Sequence, residues 1–134
     1  MQIATLVNPG VVWAEADEPL VTLARRMREH GIGSLPVRDG ERLAGIVTER
    51  DVVAAVADDV PGTAPARACM TADPAIATPA EDCAEVALRM LELGVRHLLG
   101  VDHGRVVGVV SARDLLMLEA WPERLPPVAP VASQ

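Results

Sequence analysis

Residues 45–51 of this chain read Gly-Ile-Val-Thr-Glu-Arg-Asp, an apolar run that ends in a hydroxyl side chain and is followed three residues later by a carboxylate. The pattern returns 63 residues further on, at 108–114, as Gly-Val-Val-Ser-Ala-Arg-Asp. The same displacement holds far outside the motif without a gap, pairing Met27 with Met90, Gly31 with Gly94, Leu35 with Leu98, Asp39 with Asp102 and Arg42 with Arg105. A fixed internal period of this kind indicates a duplicated structural unit, so we predict two copies of one unit.

The first copy, residues 1–59, is predicted to fold as β-α-β-β-α. A short strand is expected at residues 11–14, and Asp17 is positioned to cap the helix that follows. Gly31 is the expected end of that helix, because glycine adopts the left-handed conformation that commonly terminates helices. The buried face of the helix has apolar residues at i, i+3, i+4 and i+7, namely Leu20, Leu23, Ala24 and Met27.

Each copy is predicted to continue with a β-hairpin. The turns contain Asp-Gly at residues 39–40 and Asp-His-Gly at residues 102–104, which are typical hairpin signals. The flanking strands are expected at residues 34–38, 43–47, 97–101 and 106–110. A helix closes each copy, beginning after Thr48 in the first and at Asp114 in the second.

The second copy, residues 69–120, follows a linker at residues 60–68 that contains proline and glycine. A short strand at residues 75–77 leads into Thr-Pro-Ala-Glu at residues 78–81, a capping box with proline at the first helical position, which predicts a helix start. Beyond the second copy, four prolines among small residues predict a flexible tail at residues 121–134.

The composition excludes several classes of function. The net charge is −7 and the only aromatic residues are Trp13 and Trp121, so the basic face and the stacking platforms of nucleic-acid-binding proteins are missing. No apolar run reaches the ~20 residues of a membrane span, and we see no signal-peptide pattern. Two cysteines and three scattered histidines form no metal-ligand pattern. A reducing cytoplasm is the expected location.

The duplicated pattern resembles a known family. Two β-α-β-β-α units, each ending in Gly-apolar-apolar-Thr/Ser-x-x-Asp, with a Gly-x-x-x-Leu-Pro-Val segment at residues 31–37, resemble the CBS domain pair, or Bateman module. The resemblance covers about residues 1–120. It implies an α/β (α+β) fold whose tandem repeats pack about a pseudo-twofold axis. It also implies two clefts for adenosine-containing ligands such as AMP, ADP, ATP or S-adenosylmethionine, and assembly into a homodimer.

The resemblance also implies candidate ligand-binding residues, since each cleft takes its Thr/Ser-x-x-Asp from one copy and a facing strand from the other. In the first cleft, Thr48 and Asp51 would act with Ile76, Val95, Arg96, His97 and Leu98. In the second cleft, Ser111 and Asp114 would act with Trp13, Ile32, Gly33, Ser34, Leu35 and Pro36. Arg50 and Arg113 lie within the two motifs and are positioned to neutralise a phosphate.

The chemistry of these residues suits such a ligand. A ribose offers two adjacent hydroxyl donors, and a carboxylate accepts both, each charge-assisted hydrogen bond contributing about 1.5–3 kcal/mol. Thr48 and Ser111 lie where a strand passes into a helix, beside free backbone N–H groups that favour phosphate. The alternative is purely structural: the hydroxyls are plain N-caps, and Asp51 and Asp114 are first-turn charges.

Two positions allow more than one interpretation. Nucleotide-binding members of the family often have threonine on the first strand, where this chain has Trp13 and, one repeat later, Ile76. Trp13 either stacks on adenine or fills its cleft and prevents a ligand from entering, so we expect the Thr48/Asp51 cleft to be the better site. His97 either contacts a phosphate or is a half-buried histidine bonded to backbone.

The leading hypothesis is a stand-alone regulatory module that binds an adenosine-containing ligand and signals to a separate partner protein. The alternative is a ligand-free scaffold in which the clefts are filled and the function lies in dimerisation. We expect no enzymatic activity, because the sequence shows no nucleophile–base pair and no metal constellation. No resident cofactor or metal is expected.

Overall fold

The computed structural model describes residues 2–3 and 10–120, except for the side chains of residues 118–120. The chain divides into two compact units. We call Val12–Pro74 the first unit, and Met1–Val11 together with Ala75–Gln134 the second unit. The predicted tail at residues 121–134 lies outside the described residues.

The first unit contains a four-stranded sheet and three helices among its described residues. Its elements are β1 (Ala14–Glu15), α1 (Leu20–His30), β2 (Ser34–Asp39), β3 (Arg42–Thr48), α2 (Glu49–Ala57), α3 (Ala66–Cys69) and β4 (Thr71–Ala72). The sheet has the order β1-β2-β3-β4. The β2–β3 hairpin is antiparallel, β1 joins it in parallel at one side, and β4 joins it antiparallel at the other.

The second unit repeats the pattern with β5 (Ile76–Ala77), α4 (Cys83–Leu93), β6 (His97–Asp102), β7 (Arg105–Ser111) and α5 (Ala112–Ala120). Its sheet has the order β5-β6-β7, with β5 parallel to β6 and an antiparallel β6–β7 hairpin. The α+β fold made of duplicated β-α-β-β-α units is therefore confirmed. Both hairpins match the predicted strands to within one residue at each end.

The predicted ends of the first helix in each copy are correct, and α2 begins after Thr48 as predicted. The predicted starts of α1 and α4 are wrong, and α5 begins at Ala112, two residues before Asp114. Gly31 and Gly94 end α1 and α4 with φ of 65° and 67°, the left-handed conformation expected for them. The helix α1 begins after Pro19 instead of Asp17, and α4 begins after Asp82, four residues beyond the capping box expected at Thr78. The first strand is likewise displaced, since β1 begins at Ala14, where the predicted strand ended.

A tight turn before each helix explains the late start. Glu18 donates its N–H to the Glu15 carbonyl (3.0 Å), and its carboxylate accepts from the Glu15 N–H (2.8 Å). Glu81 forms the equivalent turn with Thr78. Its N–H donates to the Thr78 carbonyl at 3.0 Å, and its carboxylate accepts from the Thr78 N–H at 2.7 Å. The reciprocal bonds that the sequence suggested for a helix cap therefore close a turn that precedes the helix.

An arginine from each helix secures this turn, and we call the two contacts the Glu–Arg clamps. Arg26 of α1 pairs with Glu18 at 2.6 Å and donates to the Trp13 carbonyl at 2.9 Å. Arg89 of α4 pairs with Glu81 and donates to the Ile76 carbonyl at 3.0 Å. Hydrogen bonding to the arginine lowers the pKa of each glutamate.

The clamps predict a pH dependence of stability. Because the folded-state pKa lies below the ordinary 4.5, each clamp stabilises the fold above about pH 4.5, and that stabilisation is lost as the pH falls through the lowered value. We expect Glu18→Gln with Glu81→Gln to cost about 0.5–1 kcal/mol per clamp at pH 7, since the pairs are partly exposed. The deficit relative to the wild type should shrink towards pH 3, measured by urea unfolding at both pH values.

Glu41→Gln is the control for that experiment, because Glu41 is exposed in the turn of the β2–β3 hairpin. Its effect on the free energy of unfolding is expected to stay within about 0.5 kcal/mol. A double-variant deficit that is equally large at pH 3 and pH 7 would contradict a role for the ionised pairs.

The segment expected to be a linker, residues 60–68, is tied to the start of α1. Leu20 N–H donates to the Ala64 carbonyl at 2.8 Å, and Ala66 N–H donates to the Glu18 carbonyl at 2.8 Å. Ala66 is fully buried at the beginning of α3. These backbone bonds make the end of the segment part of the first unit.

Aliphatic side chains form the interior of both units, as the composition predicted. Leu23, Leu35 and Val47 are fully buried in the first unit. The cluster in the second unit consists of Ile3, Ala77, Val86, Met90, Leu98 and Val110. Ile3 also donates its N–H to the Glu81 carbonyl at 2.9 Å, so this residue from the start of the chain packs into the second unit.

Candidate functional site

The Thr/Ser-x-x-Asp motif of the first unit forms a polar corner where β3 passes into α2. Thr48 is the N-cap: its hydroxyl accepts from the Asp51 N–H at 3.3 Å, and its N–H donates to Asp51 Oδ2 at 2.8 Å. The Thr48 hydroxyl also donates to Oδ2 at 3.1 Å. The other oxygen of the half-buried carboxylate, Oδ1, accepts from the Thr71 hydroxyl at 3.2 Å. We call this arrangement the first corner.

The second unit has a matching corner where β7 passes into α5. Asp114 N–H donates to the Ser111 hydroxyl at 3.1 Å, and Ser111 N–H donates to Asp114 Oδ2 at 3.3 Å. We call this the second corner. Both motifs therefore cap a helix, which was the structural alternative. A carboxylate has about four acceptor positions, so capping by itself does not saturate it.

The beginning of a neighbouring strand lies beside each corner within the same unit. Ser34, the first residue of β2, pairs with Thr48, and Glu49 N–H donates to the Gly33 carbonyl at 3.0 Å. In the second unit His97 pairs with Ser111, and Ala112 N–H donates to the Arg96 carbonyl at 2.8 Å. The grouping of each corner with strand residues of the other unit stays a prediction.

The two neighbourhoods differ in charge. Arg113 lies within the motif of the second corner, and Arg96 and His97 lie at the beginning of the neighbouring strand. Both arginines are exposed, and His97 is half-buried. The corresponding neighbours of the first corner are Gly33 and the buried Ser34, and the exposed residues of its motif are Glu49 and Arg50. The cationic groups therefore lie mostly beside the second corner.

The remaining candidate residues differ in exposure. The side chains of Leu35 and Leu98 are fully buried, so only their backbone groups are available to a ligand. Val95 is half-buried and packs against the core of the second unit. Ile76, in contrast, is 47% exposed.

Trp13 precedes β1 and is covered on one face. The Arg38 guanidinium lies 5.1 Å from the centroid of the indole, within the range of a cation–π contact. Glu15 holds Arg38 through an ion pair of 2.6 Å, and Arg26 binds the Trp13 carbonyl. No sequence pattern indicates this contact, because Arg38 follows Trp13 by 25 positions and meets it only through the parallel pairing of β1 with β2.

The cysteines are poor candidates for nucleophilic catalysis. Cys69 and Cys83 are free thiols, and burial raises the pKa of both, with the charge of Asp51 adding to the effect at Cys69. Within residues 2–3 and 10–120, no cluster of three or more His, Cys, Asp or Glu is arranged to hold a metal ion. None of the helices in this part of the chain has the length and apolar character needed to cross a bilayer.

The sequence and the fold match one family of known proteins. The CBS domain model matches residues 3–58 and again residues 66–120. An uncharacterized 17.7 kDa protein of Acidianus ambivalens is 39% identical, over 85% of this chain and 68% of that protein. The chain spans 36% of a similar protein from Methanocaldococcus jannaschii and 64% of one from Methanopyrus kandleri.

Solved structures agree with this assignment. A signal-transduction protein with CBS domains from Burkholderia ambifaria superimposes with a TM-score of 0.82 at 27% identity, covering 91% of this chain and 90% of that one. The CBS domain pair of protein MJ0100, solved in complex with 5′-methylthioadenosine and S-adenosyl-L-methionine, has a TM-score of 0.81 at 25% identity, covering 89% and 95%. Together with the duplicated corners, these matches place the chain in the CBS domain family, of which it carries two consecutive copies.

Proposed function

We propose that the chain is a regulatory module that binds an adenosine-containing ligand and passes its state to a partner protein. The observation that carries the proposal is the duplicated corner, in which a carboxylate stands at the start of a helix beside a hydroxyl. The complex of the MJ0100 domain pair with 5′-methylthioadenosine and S-adenosyl-L-methionine supports the class of ligand. The module senses rather than catalyses, and we expect it in the cytoplasm.

Asp51 is proposed to bind the ribose. Its carboxylate is half-buried and oriented by Thr48, so little side-chain freedom is lost when a ligand binds. The two ribose hydroxyls donate, and the carboxylate oxygens accept. Ser111 and Asp114 offer the same geometry in the second unit.

The charges favour a phosphate-bearing ligand. His97 begins the strand that pairs with Ser111, Arg96 directly precedes it, and Arg113 lies within the motif itself; both arginines are exposed and His97 is half-buried. Guanidinium groups match phosphate geometry and keep their charge at neutral pH. We therefore propose AMP, ADP or ATP ahead of S-adenosylmethionine, whose sulfonium centre is cationic.

The proposal predicts a loss of affinity when the carboxylates are neutralised. Isothermal titration with AMP is expected to show binding to the wild type, and AMP should raise the thermal midpoint because it binds only the folded chain. Asp51→Asn should weaken binding at one site by about tenfold to 150-fold, the equivalent of a charge-assisted hydrogen bond. Asp114→Asn should do the same at the other site.

Asp58→Asn is the matched control, since Asp58 is an exposed carboxylate at the other end of α2. Its affinity for AMP should equal that of the wild type. The proposal fails if millimolar AMP, ATP and S-adenosylmethionine all leave the thermal midpoint unchanged.

The interaction scaffold remains the second candidate, and Trp13 is the observation that favours it. An indole already covered by Arg38 has one face fewer for stacking on adenine. Exposed apolar side chains on the helices, including Val53 (67%), Val56 (69%) and Leu91 (79%), suit a homodimer. A concentration-dependent dimer that binds none of the three ligands would favour the scaffold.

A further inference from the structure

Asp51 already has an internal partner on the oxygen that faces away from its helix cap. Oδ2 receives both the N–H and the hydroxyl of Thr48, at 2.8 and 3.1 Å. Oδ1 receives the hydroxyl of Thr71 at 3.2 Å. A ligand hydroxyl must therefore donate to Oδ1, where the Thr71 hydroxyl already occupies one acceptor position.

The backbone of Thr71 is held in place independently of this contact. Strand β4 pairs with β3 through Ile46 opposite Thr71 and Gly45 opposite Ala72. A Cβ on Gly45 would lie 2.4 Å from the Thr71 carbonyl oxygen, which shows how closely the two strands approach. The Thr71 hydroxyl can therefore leave Asp51 by a side-chain rotation, without a shift of the strand. Because Thr71 is exposed, water takes over its hydrogen bond.

We infer that the Thr71 hydroxyl competes with a ribose hydroxyl for Asp51 Oδ1 and so sets the affinity of the first corner. The inference rests on the proposed binding of an adenosine-containing ligand. The Thr71 hydroxyl donates to the same oxygen that a ribose hydroxyl would use, so the ligand must displace the Thr71 hydroxyl from Oδ1. The repeat pairs Thr71 with Asn8, 63 residues earlier in the sequence, so the duplication supplies no second threonine at this place. Thr71 is thus a specificity-determining residue of one corner.

The test is isothermal titration with AMP on the full chain carrying Thr71→Val, which keeps the shape of the side chain and removes the donor. We expect AMP to bind one site about two- to tenfold more tightly, since the net contribution of the displaced hydrogen bond is modest. Thr71→Ser, which keeps the hydroxyl, should match the wild type. Thr63→Val, an exposed threonine in the same unit, controls for an added surface methyl group.

Two further measurements separate competition from a general structural effect. The gain for Thr71→Val should vanish with 2′,3′-dideoxy-AMP, which lacks the ribose donors, and it should vanish for AMP in the Asp51→Asn background. Thermal midpoints of Thr71→Val and Thr71→Ser verify that both variants are folded.

The outcomes distinguish this inference from the proposed function. If AMP binds the wild type and Thr71→Val binds it equally or more weakly, the competition is refuted and the ligand-binding function stands. Weaker binding would show that Thr71 orients Asp51 for the ligand instead. If AMP binds neither protein while both are folded, the proposed function fails for AMP and the competition fails with it.

Discussion

Leu98→Ala is expected to lower the free energy of unfolding by about 2–5 kcal/mol, the range measured for removing a buried leucine side chain. Leu98 is fully buried in β6 and belongs to the cluster with Val86, Met90 and Val110. Shortening it removes apolar contacts and leaves a cavity that β6 cannot close, because β5 and β7 flank that strand on both sides. Urea unfolding measures the loss.

The same variant tests the role of Leu98 as a candidate ligand residue. Because its side chain lies in the core, we expect the affinity for AMP to change less than about threefold at a temperature where the variant is folded. Leu98→Met, which conserves volume, should cost less than about 1.5 kcal/mol, and Leu91→Ala, at a 79% exposed position, about 0.5 kcal/mol or less. A tenfold loss of affinity with little loss of stability would instead place the side chain in the binding site.

Gly45→Ala is expected to lower the free energy of unfolding by about 1–3 kcal/mol, the usual cost of forcing an extra methyl group into a packed site. The added Cβ would lie 2.4 Å from the Thr71 carbonyl oxygen and 3.0 Å from Met70 Sδ. A side chain as flexible as methionine can move, but a main-chain oxygen paired within a sheet cannot. The strands β3 and β4 must separate, and the first corner loses part of its support.

Gly62→Ala is the matched control for this prediction. Its Cβ would approach Val21 Cβ at 3.2 Å, a milder contact with a side chain, so we expect a loss below about 1 kcal/mol. Both variants are compared by urea unfolding, together with AMP titration to follow the corner. Equal stability of Gly45→Ala and wild type would show that β4 does not approach β3 as closely in solution.

Much of the fold is readable from local signals in the sequence. The hairpins are found where Asp-Gly and Asp-His-Gly turns predict them, because such turns impose a tight reversal whatever surrounds them. Gly31 and Gly94 end their helices because glycine adopts positive φ without a steric cost.

The starts of α1 and α4 show where local reasoning fails. Thr78 and Glu81 carry the residue types of a helix cap and make the backbone bond of one, yet α4 begins only after Asp82. Arg89, the seventh residue of that helix, binds Glu81 together with the Ile76 carbonyl, so the turn remains separate from the helix. The signal that was available is the repeat itself, since Glu18 with Arg26 recurs 63 residues later as Glu81 with Arg89.

The site was predictable in part. The motif predicted that Thr48 and Asp51 share one corner, because residues three apart at a helix start necessarily meet. No sequence pattern points to Thr71, since only the pairing of β4 with β3 places it beside Asp51. The resemblance places Leu35 and Leu98 among the binding residues, but both side chains are fully buried in strands where the next residue is buried too.

The sequence by itself determined the duplication, the aliphatic interior, the hairpins and the two polar corners, because each depends on residues that are neighbours along the chain or on a pattern that repeats along it. The tertiary structure decided what surrounds those corners: Thr71 on Asp51, Arg38 over Trp13, and the residues near Ala66 tied to the start of α1. These contacts join residues 20 or more positions apart. Only strand pairing and helix packing bring such residues together, and no local propensity encodes them.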